Sequence, residues 1–273
     1  MHCHSTASDG QTSPEAVVQR AAAVGLSALA LTDHDTLDGV PSAAAAGRAL
    51  GVRIVSGCEF SVQAPWGELH LLGYFLPEGD GALDQFLARM REARERRGTR
   101  MIEKLQHLGV EIDLEDLAFQ AGGGAVGRPH VARALIDAGV VEGLEEAFDR
   151  FLGRGRPAFV EKELPPLREV ADLVHAGSGL VLAAHMGERG HEEQLRAFRQ
   201  DGLDGIEVRH PSHSPRVERR LTKLARQLDL AISGGSDWHG EPGAGISHAP
   251  LGGMQVPVEW LEELECRRAK AYG

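Results

Sequence analysis

The chain predicts an α/β fold, a β/α barrel carrying a helical insertion, and three observations point to it. Short apolar runs alternate with segments of helical periodicity, the pattern of β/α units around a parallel sheet. Nearly every run ends in histidine or carboxylate residues, and reactive groups of barrel enzymes sit at the C-terminal ends of the strands. At 273 residues the chain can bury one barrel core with a small addition.

Taken in order, His2-Cys3-His4 falls on the first strand or at its end. The run 28–31 leads into Thr32-Asp33-His34-Asp35, the run 52–55 into Gly57-Cys58-Glu59, and the run 69–75 contains His70. Later, 180–184 leads to His185, 206–208 to His210-Pro211, and 230–233 to Gly235-Ser236-Asp237-Trp238-His239. Helical segments fill 14–24, 37–50, 166–176, 191–200, 215–228 and 257–270, several of them opened by Ser or Pro. The stretch 79–163 breaks the alternation, since it reads as helices only: 84–107, 128–137 and 144–152, with Gly122-Gly123-Gly124 as a hinge-like loop. The expected division is therefore a barrel from 1–78 and 164–273, with 79–163 as a helical insertion over its mouth. The first insertion helix carries Arg89, Arg91, Arg94, Arg96, Arg97, Arg100 and Lys104 against Glu92, Glu95 and Glu103. That pattern fits first a solvated face with i,i+4 pairs, and as the alternative a face that draws phosphate inward.

Hydrophobic residues at 42% and charged residues at 25% describe an ordinary globular protein. No apolar run reaches the roughly 20 residues of a membrane helix, and no signal-peptide pattern opens the chain, so cytoplasmic residence is expected. A formal net charge of −11 disfavours duplex nucleic acid, whose binding requires phosphate neutralisation, and leaves nucleotides and short oligonucleotides open. Cys3, Cys58 and Cys266 form no C-x-x-C pair and suggest neither disulfides nor a zinc ribbon.

His2 and His4, two apart on an extended chain, share a face and can address one metal ion. With Asp9, His34, Glu59, His70, His185, Asp237 and His239 they make a set of imidazoles and carboxylates suited to Zn, Mn or Fe in mixed N/O coordination. His107, His175, His191, His213 and His248 lack strand-end placement and read as structural or surface residues. Arg128-Pro129-His130 looks like a helix start, where backbone N–H groups, the guanidinium and the imidazole could converge on a phosphate; the alternative is a plain helix cap. His210 reads either as a phosphate contact or proton donor to the leaving oxygen, or as a turn histidine. Trp238 fits packing beneath the loop better than base stacking.

The ordered set H-x-H-S-x-x-S-D-G, T-D-H-D-T, G-x-E, a strand histidine, G-R-P-H, A-A-H, H-P and S-D-x-H resembles the polymerase and histidinol phosphatase (PHP) domain family over nearly the whole chain. It is most similar to the branch of nucleotide phosphatases and exonucleases acting on 3′,5′-bisphosphate nucleotides, AMP and RNA 5′ ends. The resemblance implies a distorted, TIM-like (β/α)7 barrel and a three-metal site. His2, His4, Glu59 and Asp237 would hold one ion; Glu59, as a bridging carboxylate, with His70 and His185 a second; Asp9, His34 and His239 the third. Asp33 and Asp35, beside His34, would orient ligating imidazoles. The family normally has a short strand before H-x-H, whereas only Met1 precedes it here, so the expectation is either a truncated first stave or a misassigned start of the chain.

Three divalent ions, manganese first among Mn, Fe, Zn and Mg, would face three carboxylates and leave a cationic centre that attracts a phosphate dianion. Ions about 4 Å apart stabilise both attacking and leaving oxygens of in-line displacement and lower the pKa of bound water from 15.7 to about 7, which supplies a bridging hydroxide. The expected activity is hydrolysis of nucleotide phosphate monoesters. Histidinol-phosphate phosphatase and a non-catalytic polymerase-associated module are the rivals, while amidohydrolase chemistry would want a lysine or carbamate ligand that finds no place in the pattern.

Overall fold

The structure is a computed structural model and describes residues 1–79, 81–112, 127–240 and 249–273; the Gly122-Gly123-Gly124 loop and His248 lie outside the described residues. Six strands form one sheet in sequence order: β1 (Ala28–Leu31), β2 (Arg53–Ala64), β3 (Gly67–Tyr74), β4 (Leu180–Ala183), β5 (Gly205–Arg209) and β6 (Ala231–Gly234). Around them lie α1 (Pro14–Ala23), α2 (Val40–Leu50), α3 (Gly81–His107), α4 (Arg128–Asp137), α5 (Leu144–Ala147), α6 (Leu167–Ala176), α7 (Glu192–Gln200), α8 (Pro215–Gln227) and α9 (Val258–Tyr272). Ser13 and Ser214 accept backbone N–H bonds at the starts of α1 and α8, with Pro in the first turn of each.

One strand departs from the expected parallel sheet. β3 pairs antiparallel with both β2 and β4, whereas β1–β2, β4–β5 and β5–β6 are parallel. The cause is the turn: Ala64 pairs with Gly67, so Pro65-Trp66 is a two-residue hairpin loop, too short for the crossover that a parallel pair requires. β2 also runs on through Cys58–Ala64, so Glu59 sits mid-strand rather than at a strand end.

Side-chain alternation sorts each strand into two faces. Cys58, Phe60, Leu69, Leu71, Val181 and Ile206 pack outward against α3, α6, α7 and α8 through Leu87, Val174, Leu195 and Leu221. Ala30, Val55, Leu72, Tyr74, Leu182 and Ala231 form an inner cluster. Continuing the inner face by twos brings Glu59, His70 and Glu207 to the level above that apolar floor. The N-terminal half of α3 packs on the outer cluster through Leu83, Phe86, Leu87 and Met90. Its C-terminal half joins a separate cluster in which Met101, Ile102 and Leu105 meet Val131, Leu135 and Leu152.

The opening residues lie between the two edge strands. Cys3 O accepts from Thr32 N at 3.0 Å, and His4 N donates to Trp238 O at 2.8 Å, with Cys3 and Trp238 in a parallel bridge. Gly235 permits this approach, for a Cβ there would stand 2.3 Å from His2 Cβ. No helix among the described residues is long and apolar enough to cross a membrane.

Candidate metal centre

Glu59 is the hub of the site. Its carboxyl group is buried, and its two oxygens face different histidines: Oε1 lies 2.9 Å from His70 Nδ1 and 3.2 Å from His185 Nε2, while Oε2 lies 3.3 Å from His2 Nε2, 3.2 Å from His4 Nε2 and 3.3 Å from His34 Nδ1. Asp237 Oδ1 closes the group at 3.2 Å from His2 Nε2 and 3.1 Å from His4 Nε2. On the far side Asp9 stands 3.3 Å from His239 Nε2 and 3.8 Å from His34 Nε2. All nine side chains named from the sequence as metal ligands thus come to one cluster. Candidate cation-holding groups within it are His2, His4, Glu59 and Asp237; His4, Asp9, His34 and His239; and His34, Glu59 and His70.

The cluster is held by its neighbours. Asp33 accepts from Ser5 N, Ser5 Oγ and Ser8 Oγ, each at 2.7 Å, so it fixes the loop between His4 and Asp9 instead of orienting an imidazole as expected. Asp35 accepts from Arg94 at 2.9 Å, again a role other than steering His34. The His239 ring is steered by its Nδ1 contact with Asp237 O at 2.8 Å. Three residues of the site, Asp35, His185 and Asp237, have positive φ angles of 54°, 26° and 49°, strain of the kind that tertiary structure over-determines at functional positions.

The donor atoms are poised for cations. His2 Nε2, His4 Nε2, His34 Nδ1 and Asp237 Oδ1 are buried and lack a hydrogen-bond partner, a costly state unless something else satisfies them. Donors about 2.1 Å from a shared ion stand roughly 3.0–3.4 Å apart, the spacing seen around Glu59 Oε2 and Asp237 Oδ1. The residues therefore fit a multi-cation centre. Without cations, burial opposes charge on His2, but Asp237, Glu59 and Glu207 push its pKa up to about 10. Burial moves His34 the other way, down to about 3, against the pull of Glu59 and Asp9.

Two carboxylates escaped the sequence reading. Glu207 is fully buried, lies 3.2 Å from His2 Nδ1 and accepts from His185 N at 2.9 Å; with His2 and His210 it forms a further candidate group. The available signal was a lone acid inside the apolar run Ile206-Glu207-Val208. Glu68 and Lys162 were also missed. Glu68 Oε1 meets His70 Nε2 at 3.1 Å and Lys162 Nζ at 2.7 Å, and nothing in the local sequence marks that pairing.

The remaining site residues flank the cluster, with His130 and His210 buried. His210 Nδ1 accepts from Ser212 N at 3.1 Å, which leaves Nε2 as the protonated nitrogen of a neutral ring, facing Asp237 Oδ2 at 3.4 Å. His130 Nδ1 likewise accepts from Gly127 N at 3.0 Å, so its Nε2 carries the proton, and burial lowers its pKa. Arg128 opens α4 and lies 3.5 Å from Glu68. His107, His175 and His213 bond Glu103 O, Asp204 and Val208 O, outside the cluster. Trp238 is buried against Val17, Val18 and Leu29, in packing and not stacking.

A PHP domain matches residues 1–175. The chain belongs to the PHP family. Among curated relatives it is 33% identical to a 5′-3′ exoribonuclease of Haemophilus influenzae, over 88% of this chain and 89% of that one. It is 32% identical to a 3′,5′-nucleoside bisphosphate phosphatase of Chromobacterium violaceum, over 91% and 90%. A phosphoribosyl 1,2-cyclic phosphate 1,2-diphosphodiesterase of Eggerthella lenta is 31% identical over 94% and 98%. A structure from Bifidobacterium adolescentis, described as that of a metal-dependent phosphoesterase, superposes with a TM-score of 0.89 at 33% identity, covering 97% of this chain and 94% of that one.

Proposed function

We propose that this PHP protein hydrolyses phosphate monoesters of nucleotides at a centre of three divalent cations, with manganese as the preferred metal. The specific reaction is release of the 3′ phosphate from 3′,5′-bisphosphate nucleotides, with AMP and the 5′ ends of short RNA as companion substrates. The observation that carries it is the convergence of six imidazoles and three carboxylates on one buried cluster with unsatisfied donor atoms, in a family whose relatives are named as phosphatases and exoribonucleases.

His2, His4, Glu59 and Asp237 would hold one cation, Glu59, His70 and His185 a second, and Asp9, His34 and His239 a third. Bound there, divalent cations supply Lewis acidity and a nucleophile of lowered pKa. The chain's own groups do the rest. Asp33 sets the Ser5–Ser8 loop and hence the direction of Asp9; Arg128 and the Nε2–H of His130 bind phosphate oxygens; the Nε2–H of His210 steadies Asp237 and is placed to donate toward a leaving oxygen. Residues 1–4 serve as the seventh stave of a distorted (β/α)7 barrel built from 1–78 and 164–273, a reading supported by their hydrogen bonds to Thr32 and Trp238. The separate apolar cluster of α3, α4 and the turn ending at Leu152 supports 79–163 as a helical insertion over the mouth.

Asp237→Ala and His34→Ala test this. Each abolishes phosphate release from adenosine 3′,5′-bisphosphate with saturating Mn²⁺ while circular dichroism stays native; full activity in either variant refutes the assignment. The Eggerthella relative favours a second reading, hydrolysis of a cyclic phosphodiester, which faster turnover of such a substrate in parallel assays would establish.

A further inference from the structure

Beside the cluster opens a cleft of about 800 Å³, walled by Arg97, Arg128, Arg154 and Lys162 against Glu68 and Glu161. Four cationic and two anionic side chains in a chain of net charge −11 make it a local positive site. Glu68 stands where the cations meet. Its Oε1 accepts from Lys162 Nζ at 2.7 Å, its Oε2 lies 3.5 Å from Arg128, and Oε1 also lies 3.1 Å from His70 Nε2. The other nitrogen of that ring faces Glu59 at 2.9 Å. One imidazole ring, that of His70, therefore separates the Glu68 carboxylate from Glu59.

We propose that Glu68 is a placeholder: it occupies Lys162 and Arg128 in place of a second, non-reacting phosphate of the substrate, which must displace it in order to bind. The inference deepens the nucleotide-phosphatase reading and rests on it. Charge decides the competition. A terminal phosphate monoester carries about −1.5 to −2 at pH 7 and three acceptor oxygens, against one charge and two oxygens on Glu68, so it wins both cations. An internal phosphodiester carries a single charge and gains nothing over the carboxylate. The resident glutamate thus raises the cost of seating any second phosphate by a common factor, and a terminal phosphate, with its larger charge on the same cations, displaces it more readily than an internal diester does. The His70 ring between Glu68 and Glu59 keeps that phosphate off the Glu59 carboxylate while the other phosphate of the same nucleotide is hydrolysed.

The metal-loaded full chain is assayed with three substrates: adenosine 3′,5′-bisphosphate, its 5′-methyl ester (a diester at the 5′ position), and adenosine 3′-monophosphate. Wild type shows its lowest KM for the bisphosphate. Glu68→Gln lowers KM for the bisphosphate and for the methyl ester by roughly tenfold, the weight of one charge-assisted contact, and leaves KM for the 3′-monophosphate unchanged. Any loss of kcat through the His70 contact falls on all three substrates alike. Lys162→Met abolishes the preference for the bisphosphate, and if Glu68→Gln does not fold this variant decides alone. Equal shifts of KM for all substrates in Glu68→Gln, or a preference retained in Lys162→Met, overturn the inference. If no substrate is turned over, the phosphatase reading falls, and the same comparison is made on dissociation constants by calorimetry, where the outcomes keep their meaning.

Discussion

Replacing Glu207 by glutamine preserves the volume of a fully buried side chain and removes one acceptor. The carboxylate serves two donors far apart in the chain, the His2 ring through Nδ1 at 3.2 Å and His185 N at 2.9 Å. A glutamine oxygen can serve one of them, so the other is left facing an NH2 group, a buried donor without a partner that costs about 1–3 kcal/mol. Losing the acceptor at His2 frees its tautomer, and Nε2 is no longer held as the bare nitrogen turned toward Glu59 and Asp237. Outer partners of ligating histidines contribute about 10–100-fold in metal affinity, or roughly 1.4–2.7 kcal/mol, in line with the hydrogen-bond figure. The assay is a competitive Mn²⁺ titration against a chelating dye, with the Co²⁺-loaded absorption spectrum as a second readout of ligand geometry. Affinity within twofold of wild type and an unchanged Co²⁺ spectrum would refute the positioning role of Glu207.

Two further outcomes follow from the packing and the charges. Gly235→Ala drives a methyl group to 2.3 Å from His2 Cβ, so it destabilises the chain by about 1–3 kcal/mol, as overpacking does, and weakens metal binding; denaturant unfolding within experimental error of wild type would count against the close approach. His175 has its pKa raised by its hydrogen bond to Asp204, with burial opposing. Its contribution is therefore full below the unfolded value near 6.5 and fades as pH rises through the raised folded value. His175→Asn accordingly lowers the melting temperature more at pH 5.5 than at pH 9, and an equal drop at both would contradict the charged pair.

The helices were legible because caps and breakers are local. Ser13 and Ser214 precede Pro-led helices that begin where the sequence places them, and Arg128–Asp137 forms as expected. Strand direction was less legible. The run 69–75 reads alike in either orientation, and only the Pro65-Trp66 turn forces β3 antiparallel. Six of the nine clustered side chains could be named because each follows or lies in an apolar run with chemistry out of place there, and His2, His4 and Asp9 were named from the H-x-H spacing and the family resemblance. Glu207 was passed over, although it too interrupts such a run, because its meaning depends on His2, which is 205 residues away. Asp33 was assigned to the imidazole beside it in sequence. Spatially its neighbours are Ser5 and Ser8, a contact made by the chain passing between the edge strands.

The five imidazoles around Glu59 divide unequally between its two oxygens, His70 and His185 on one and His2, His4 and His34 on the other. Its two oxygens are equivalent by rotation about the terminal bond, so the inequality belongs to the rings placed around the carboxylate and not to the carboxylate itself. A substitution that neutralises Glu59 therefore withdraws an anionic neighbour from all five rings together, whereas the loss of any one ring leaves the other four their contact with it.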